Sequence, residues 1–98
     1  MAIARITEYT EWAKDGHIPI NGVPQVPGPA KQKVTFTTTT QSAAFNARTK
    51  FIRVRSDTLC YIEVGANPTA ITDTGEVLAA NTDYWLGVNP GDKIAFVT

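Results

Sequence analysis

Apolar and polar residues alternate along most of the chain after residue 31. A period of two residues, with many β-branched and aromatic side chains, is typical of half-buried strands. The pattern predicts strands at residues 34–40, 49–55, 59–64, 84–88 and 93–97, and a loop after residue 64 leads to a short segment at 76–79. Turn-forming residues separate them at intervals of roughly 8–12 residues, which is typical of a β-sandwich or barrel. We therefore predict an all-β fold, namely a small antiparallel β-sandwich of jelly-roll-like form.

The same alternation predicts which side chains face the core. In the strand at 49–55, Ile52 and Val54 are expected to point inward. Arg53 and Arg55 fall on the opposite face, where they meet solvent or an interface. The next strand along the chain is expected to pair with this one as a β-hairpin, since a short turn separates them.

The first third of the chain follows a different pattern. Prolines recur every few residues in its second half, and each one fixes φ and removes a hydrogen-bond donor, which excludes a helix or a central strand. Before them, residues 2–6 are expected to add a short edge strand, and residues 7–14 one or two helical turns. We therefore divide the chain into an extended, proline-rich N-terminal arm, residues 1–31, and a β-sandwich domain, residues 32–98.

The arm is rich in apolar side chains, which gain free energy by leaving water. Because a β domain of this size has a marginal core, a neighbouring subunit is a reasonable surface for the arm, and we expect a strap between subunits. In the domain, alternation sends Trp85 outward, either as an interface anchor or to be covered by the arm of its own subunit. The predicted contact residues are Ile3, Ile6, Trp12, Ile18, Ile20, Val23 and Trp85.

Charge and cysteine content narrow the choice of partners. Nine Lys and Arg residues balance nine Asp and Glu residues, so no long-range field collects nucleic acid or anionic lipid, and we expect neither as a partner. The single cysteine, Cys60, cannot form an intrachain disulfide and is expected to behave as a small hydrophobe. No apolar run resembles a signal peptide or is long enough to span a bilayer, so we expect a soluble protein that is made in the cytoplasm.

Catalytic chemistry is sparse in this sequence. One histidine, His17, and one cysteine fall short of a zinc ligand set, and no base lies beside a nucleophile. The carboxylate of Glu63 on a strand and that of Asp73 or Glu76 in a loop are interpreted as solubilising charges rather than a glycosidase pair. We therefore predict no catalytic residue, cofactor or metal, and no enzyme. Stacking of sugars on Tyr61 and Trp85 is an alternative of another class, a carbohydrate-binding β-sandwich module.

Several turn and core segments carry a family resemblance over about residues 33–97. They are Val34–Thr37, Gln41–Ala47, Phe51–Val54, Gly65–Ala70, Leu78–Thr82 and Gly87–Ala95. Through them the chain resembles small structural proteins encoded in the virion gene clusters of tailed bacteriophages. The resemblance implies a capsid cement or decoration protein of the virion, which clamps neighbouring copies of the major capsid protein as a dimer or trimer. A head-to-tail connector or a tail component is the alternative within the virion.

Overall fold

The computed structural model describes residues 2–72 and 75–98, and in them the chain forms strands and no helix. The strands are β1 Ala2–Tyr9, β2 Trp12–Asp15, β3 Ile18–Pro24, β4 Ala30–Phe36, β5 Thr40–Gln41, β6 Phe51–Ser56, β7 Cys60–Gly65, β8 Glu76–Leu78, β9 Tyr84–Gly87 and β10 Lys93–Val97. All of the paired strands are antiparallel. The predicted fold class, a small all-β sandwich, is confirmed.

Two four-stranded sheets form the sandwich. The front sheet has the order β4-β1-β6-β9, and the back sheet has the order β5-β10-β7-β8. Side chains from both sheets share one hydrophobic core, in which the rings of Phe36 and Phe96 stack with their centroids 5.2 Å apart. Ile52 and Val54 are fully buried in this core, as the alternation predicts, while Arg53 and Arg55 lie on the outer face of the front sheet.

The N-terminal residues belong to the sandwich rather than to an arm. Strand β1 occupies the middle of the front sheet, where Ile6 lies opposite Gln32 of β4 on one side and Val54 of β6 on the other. Its inward residues, Ala4 and Ile6 among them, are buried because alternation along β1 matches the core face of both neighbours. A strand does form at 2–6, as predicted, but its predicted edge position is wrong. The helical turns predicted at 7–14 are also wrong, and the boundary predicted at residue 31 falls within β4 of the same sheet.

Strands β6 and β7 do not form the predicted hairpin. Both sides of β6 are already occupied by β1 and β9, so the chain crosses to the back sheet, where β7 pairs with β10 and β8. The crossing is fixed by side chains, because the Ser56 hydroxyl donates to the Thr58 carbonyl and the Asp57 carboxylate accepts the Ile3 N–H at 2.9 Å. The residues Ser56 and Asp57 therefore form a connection between the two sheets instead of a hairpin turn.

Strands β2 and β3 form a separate two-stranded ribbon. Asp15 pairs with Ile18 across a two-residue turn, in which Gly16 adopts the positive φ of 65° that a tight hairpin turn requires. Pro19 and Pro24 are tolerated in β3 because each ribbon strand has a free edge. The molecule is elongated, with extents of 44 × 25 × 21 Å.

A buried carboxylate joins the front sheet to the connection between the sheets. Glu8 of β1 is 1% exposed and accepts hydrogen bonds from the Asn46 N–H at 2.8 Å and the Thr49 hydroxyl at 2.7 Å. Its second oxygen accepts the Gln32 Nε2–H at 3.1 Å. Since these donors satisfy both oxygens, Glu8 is a structural group of the fold.

Candidate interaction surfaces

The ribbon carries apolar side chains that the chain itself leaves in water. Ile18 is 71% exposed, Ile20 43% and Val23 48%. Val26, in the segment that returns from the ribbon to β4, is also exposed and was not in the predicted contact set. Exposed apolar side chains that lie close together indicate an interaction site more often than scattered single ones do.

Two of the predicted contact residues lie in the front sheet instead of an arm. Ile6 is 1% exposed in the core of its own subunit, so its assignment as an intersubunit contact is wrong. The alternation of β1 turns Ile6 inward, a direction that an arm without regular structure would not impose. Ile3 is half-buried on the outer face of the front sheet, opposite Thr35.

Four aromatic rings cluster at one end of the outer face of the front sheet. Trp12, at the base of the ribbon, packs on Phe51 with centroids 4.3 Å apart and lies 6.2 Å from Trp85. Tyr9 stacks on Phe51 at 5.3 Å and on Trp85 at 5.8 Å. Trp85 nevertheless remains 45% exposed. Its own subunit therefore covers part of the ring and leaves the rest available.

Five cationic side chains occupy the outer face of the front sheet, and we call this surface the basic face. It consists of Arg5, Lys31, Lys33, Arg53 and Arg55. Arg5 lies directly opposite Lys33 on one side and Arg55 on the other, so that three cations form one row across β4, β1 and β6. Two residues further along, Lys31 and Arg53 flank Thr7 in a second row.

The second row borders a cleft of about 540 Å³. Its floor and walls combine Thr7 and Tyr9 of β1 with the segment 26–28, and the cations Lys31 and Arg53 lie at its sides. Gly28 makes the close approach of this segment possible, because a Cβ there would lie 1.8 Å from the Glu8 carbonyl oxygen. The cleft thus offers an apolar wall together with two positive charges.

The sequence contains a pattern that indicates the basic face, although the net charge does not show it. Lys31 and Lys33 stand two residues apart, as do Arg53 and Arg55, so each pair shares one face of its strand. Arg5 joins them only because β1 lies between β4 and β6. A balanced total charge therefore conceals a strong segregation of charge on the folded surface.

The electrostatics of individual groups indicates no reactive centre. In the part of the chain that the structure describes, Arg55 alone of the five cations makes an ion pair, with Asp83 at 3.3 Å. Hydrogen bonds, first from the Ile3 N–H and then from the Thr58 hydroxyl, lower the pKa of Asp57. Burial raises the pKa of the Cys60 thiol, which suits a core residue and disfavours a nucleophilic thiolate.

The described residues contain neither a metal-binding cluster nor a membrane-spanning helix. Among residues 2–72 and 75–98, no three His, Cys, Asp or Glu side chains are grouped so that they would hold a metal ion. Within the same residues, no helix is long and apolar enough to cross a membrane. His17 lies exposed in the turn of the ribbon.

Tyr61 and Trp85 do not form a common stacking platform. Tyr61 lies on β7 of the back sheet, and Trp85 lies on β9 of the front sheet. Each side chain alternates with inward-pointing neighbours, so the two rings face away from the sandwich on opposite sides. Sugar stacking on this pair would need both rings on one surface.

Comparison of the chain with protein-family models, with curated proteins and with solved structures finds no match.

Proposed function

We propose that this chain is a structural, non-enzymatic protein of a tailed-phage particle, of the cement or decoration type, which straps itself to a neighbouring subunit through its ribbon. The exposure of Ile18, Ile20 and Val23 on the ribbon carries the proposal. The resemblance of the segments between about residues 33 and 97 to small virion proteins supports it. The major capsid protein is the proposed partner, and a dimer or trimer the proposed assembly.

The magnitude of apolar burial indicates how such a strap would work. Fully burying an aliphatic side chain contributes about 1.5–3 kcal/mol, and the exposed parts of Ile18, Ile20 and Val23 together therefore supply on the order of 2–5 kcal/mol. Association costs an estimated 4–15 kcal/mol in lost translational and rotational freedom. The ribbon alone therefore offsets at most the lower end of that cost. A second contact, or several ribbons acting at once on a repeated surface, would make the binding stable.

The proposal is tested by replacing the apolar ribbon residues with serine. The triple variant Ile18→Ser, Ile20→Ser, Val23→Ser should lose binding to capsids of the phage that encodes the chain and should shift to a smaller assembly in light scattering. A matched triple variant, Leu59→Ser, Ile71→Ser, Val77→Ser, changes comparably exposed residues outside the ribbon. It should retain both properties.

Two results would contradict this function. One is a wild-type protein that is monomeric at micromolar concentration, has a protease-resistant ribbon and has no affinity for capsids. The other is equal loss of binding in the two triple variants. If the wild-type protein instead forms a closed ring that binds the head-to-tail junction, the connector alternative replaces the decoration function.

A further inference from the structure

The basic face places like charges opposite each other on neighbouring strands of a β-sheet, an arrangement that is unfavourable for the sheet. Like charges directly opposite each other on neighbouring strands destabilise a sheet, and Arg5 has a cation opposite it on both sides. In the described chain, the carboxylate of Asp83 is the one acid paired with any of the five, and it contacts Arg55. Solubility alone is served better by mixed charges. The concentration of positive charge therefore suits an anionic partner.

The geometry of the array is set by the backbone. Neighbouring strands of a sheet lie about 4.8 Å apart, and side chains two residues apart along a strand are separated by about 6.7 Å. The two rows of the basic face thus have the spacing of alternate side chains in another extended segment. A protein segment with Asp or Glu at every second position would place one carboxylate against each row, and the adjoining cleft has room for its apolar groups.

The balanced charge of the chain favours a protein over a nucleic acid as the source of those anions. With a formal net charge of +0, the molecule has little long-range attraction for a free polyanion, so the face acts mainly at contact distance. A partner held by the ribbon is brought to that distance. Trp12 at the ribbon base packs on Phe51 of the front sheet, so the base of the strap and the basic face belong to the same side of the sandwich.

We propose that the basic face, with its cleft, is a second docking surface that binds an acidic, extended segment of the subunit to which the ribbon attaches. This inference rests on the proposed function, and it names the chemistry of the partner surface. It also supplies the second contact that the small apolar area of the ribbon requires.

Charge-neutralising variants test the proposal on particles. The double variant Arg5→Gln, Lys33→Gln should bind capsids at least about tenfold more weakly than the wild type, and added salt should weaken wild-type binding. Its thermal midpoint should be unchanged or higher, because two like-charge contacts are relieved. The control Lys50→Gln, Lys93→Gln makes the same change of net charge outside the basic face and should bind like the wild type. Normal binding by the Arg5, Lys33 variant would overturn the inference, even where the serine variant of the ribbon fails to bind.

A second measurement does not depend on particles. An eight-residue synthetic peptide of alternating glutamate and threonine should shift the amide NMR signals of β1, β4 and β6 in the wild type and not in the Arg5, Lys33 variant. A dT oligonucleotide of equal charge serves as the competing probe. Tighter binding of the oligonucleotide, or peptide shifts elsewhere on the molecule, would overturn the proposal. If the peptide binds the basic face but the wild-type protein does not bind capsids, the result supports recognition of an acidic segment by the basic face and contradicts the proposed function.

Discussion

Replacing Glu8 with glutamine should destabilise the fold although the two side chains have nearly the same shape. Glutamine keeps one carbonyl oxygen, which can still accept from the Asn46 N–H and the Thr49 hydroxyl. Its amide nitrogen, however, takes the place of the oxygen that accepts the Gln32 Nε2–H. Two donors then face each other in a buried position.

Gln32 cannot relieve that conflict by rotating its own amide. Its oxygen accepts the Ala43 N–H at 2.9 Å, and its nitrogen donates to the Ala43 carbonyl at 3.2 Å. A rotation would break both bonds. The variant therefore loses the hydrogen bond from Gln32, and the hydrogen bonds from Asn46 and Thr49 then have a neutral acceptor instead of a charged one. Hydrogen bonds to charged groups contribute about 1.5–3 kcal/mol and neutral ones about 0.5–1.5 kcal/mol. One lost bond and two weakened bonds should therefore lower the free energy of unfolding by about 3–6 kcal/mol.

Urea unfolding followed by tryptophan fluorescence would measure this loss, and calorimetry should show a thermal midpoint at least about 12 °C lower. Glu63→Gln is the matched control, since Glu63 is exposed on β7. It should change the free energy of unfolding by less than about 0.5 kcal/mol. A Glu8→Gln protein as stable as that control would refute the argument that the buried carboxylate fastens the inter-sheet connection.

Three further outcomes are expected. Gly28→Ala should destabilise the fold by about 1–3 kcal/mol or displace the segment 26–28, because its Cβ would overlap the Glu8 carbonyl. Gly65→Ala is the control, since its Cβ meets open space, and its free energy of unfolding should be nearly unchanged in the same urea titration. Burial raises the pKa of Cys60 above its ordinary 9.0, so this thiol should react slowly with iodoacetamide until urea unfolds the protein. The stability that the neutral buried thiol contributes should be lost as pH rises through the raised pKa. The hydrogen bond from the Ile3 N–H lowers the pKa of Asp57 below 3.8, so the free energy of unfolding of the wild type should decline as pH falls below 3.8. Asp57→Asn should make this decline less steep. Equal acid sensitivity of the two proteins would contradict a stabilising role of the Asp57 carboxylate.

Local pattern predicted β6, β7, β9 and β10 close to their observed bounds. It extended the strand at 34–40 too far, since β4 ends at Phe36, and in the first third it predicted a strand at 2–6 but not its central position or the ribbon. In β6, for example, Ile52 and Val54 alternate with arginines, and such alternation predicts which face of the strand is buried. Strand β1 alternates as well, but the prolines that follow it suggested a segment without regular structure. Its central position depends on pairing with β4 and β6, whose residues lie about 30 and 50 positions away in sequence.

The candidate site was predicted in part for the same reason. Composition predicted Ile18, Ile20 and Val23 as contact residues, and alternation predicted the outward position of Trp85. All four are exposed in the single chain, and their role as contacts stays a prediction. The basic face did not follow, since its cations come from three segments of a chain with no net charge. The role of Glu8 was also missed, because its partners Gln32 and Thr49 are distant in sequence.

The sequence by itself determined that this chain forms short antiparallel strands around one core, because strand formation and facing depend on side chains two residues apart. Only the tertiary structure decided which strands are neighbours, since pairing depends on register between distant segments and on which edges are already occupied. That choice placed β1 between β4 and β6. It thereby buried Ile6 and Glu8 and brought Arg5 between Lys33 and Arg55.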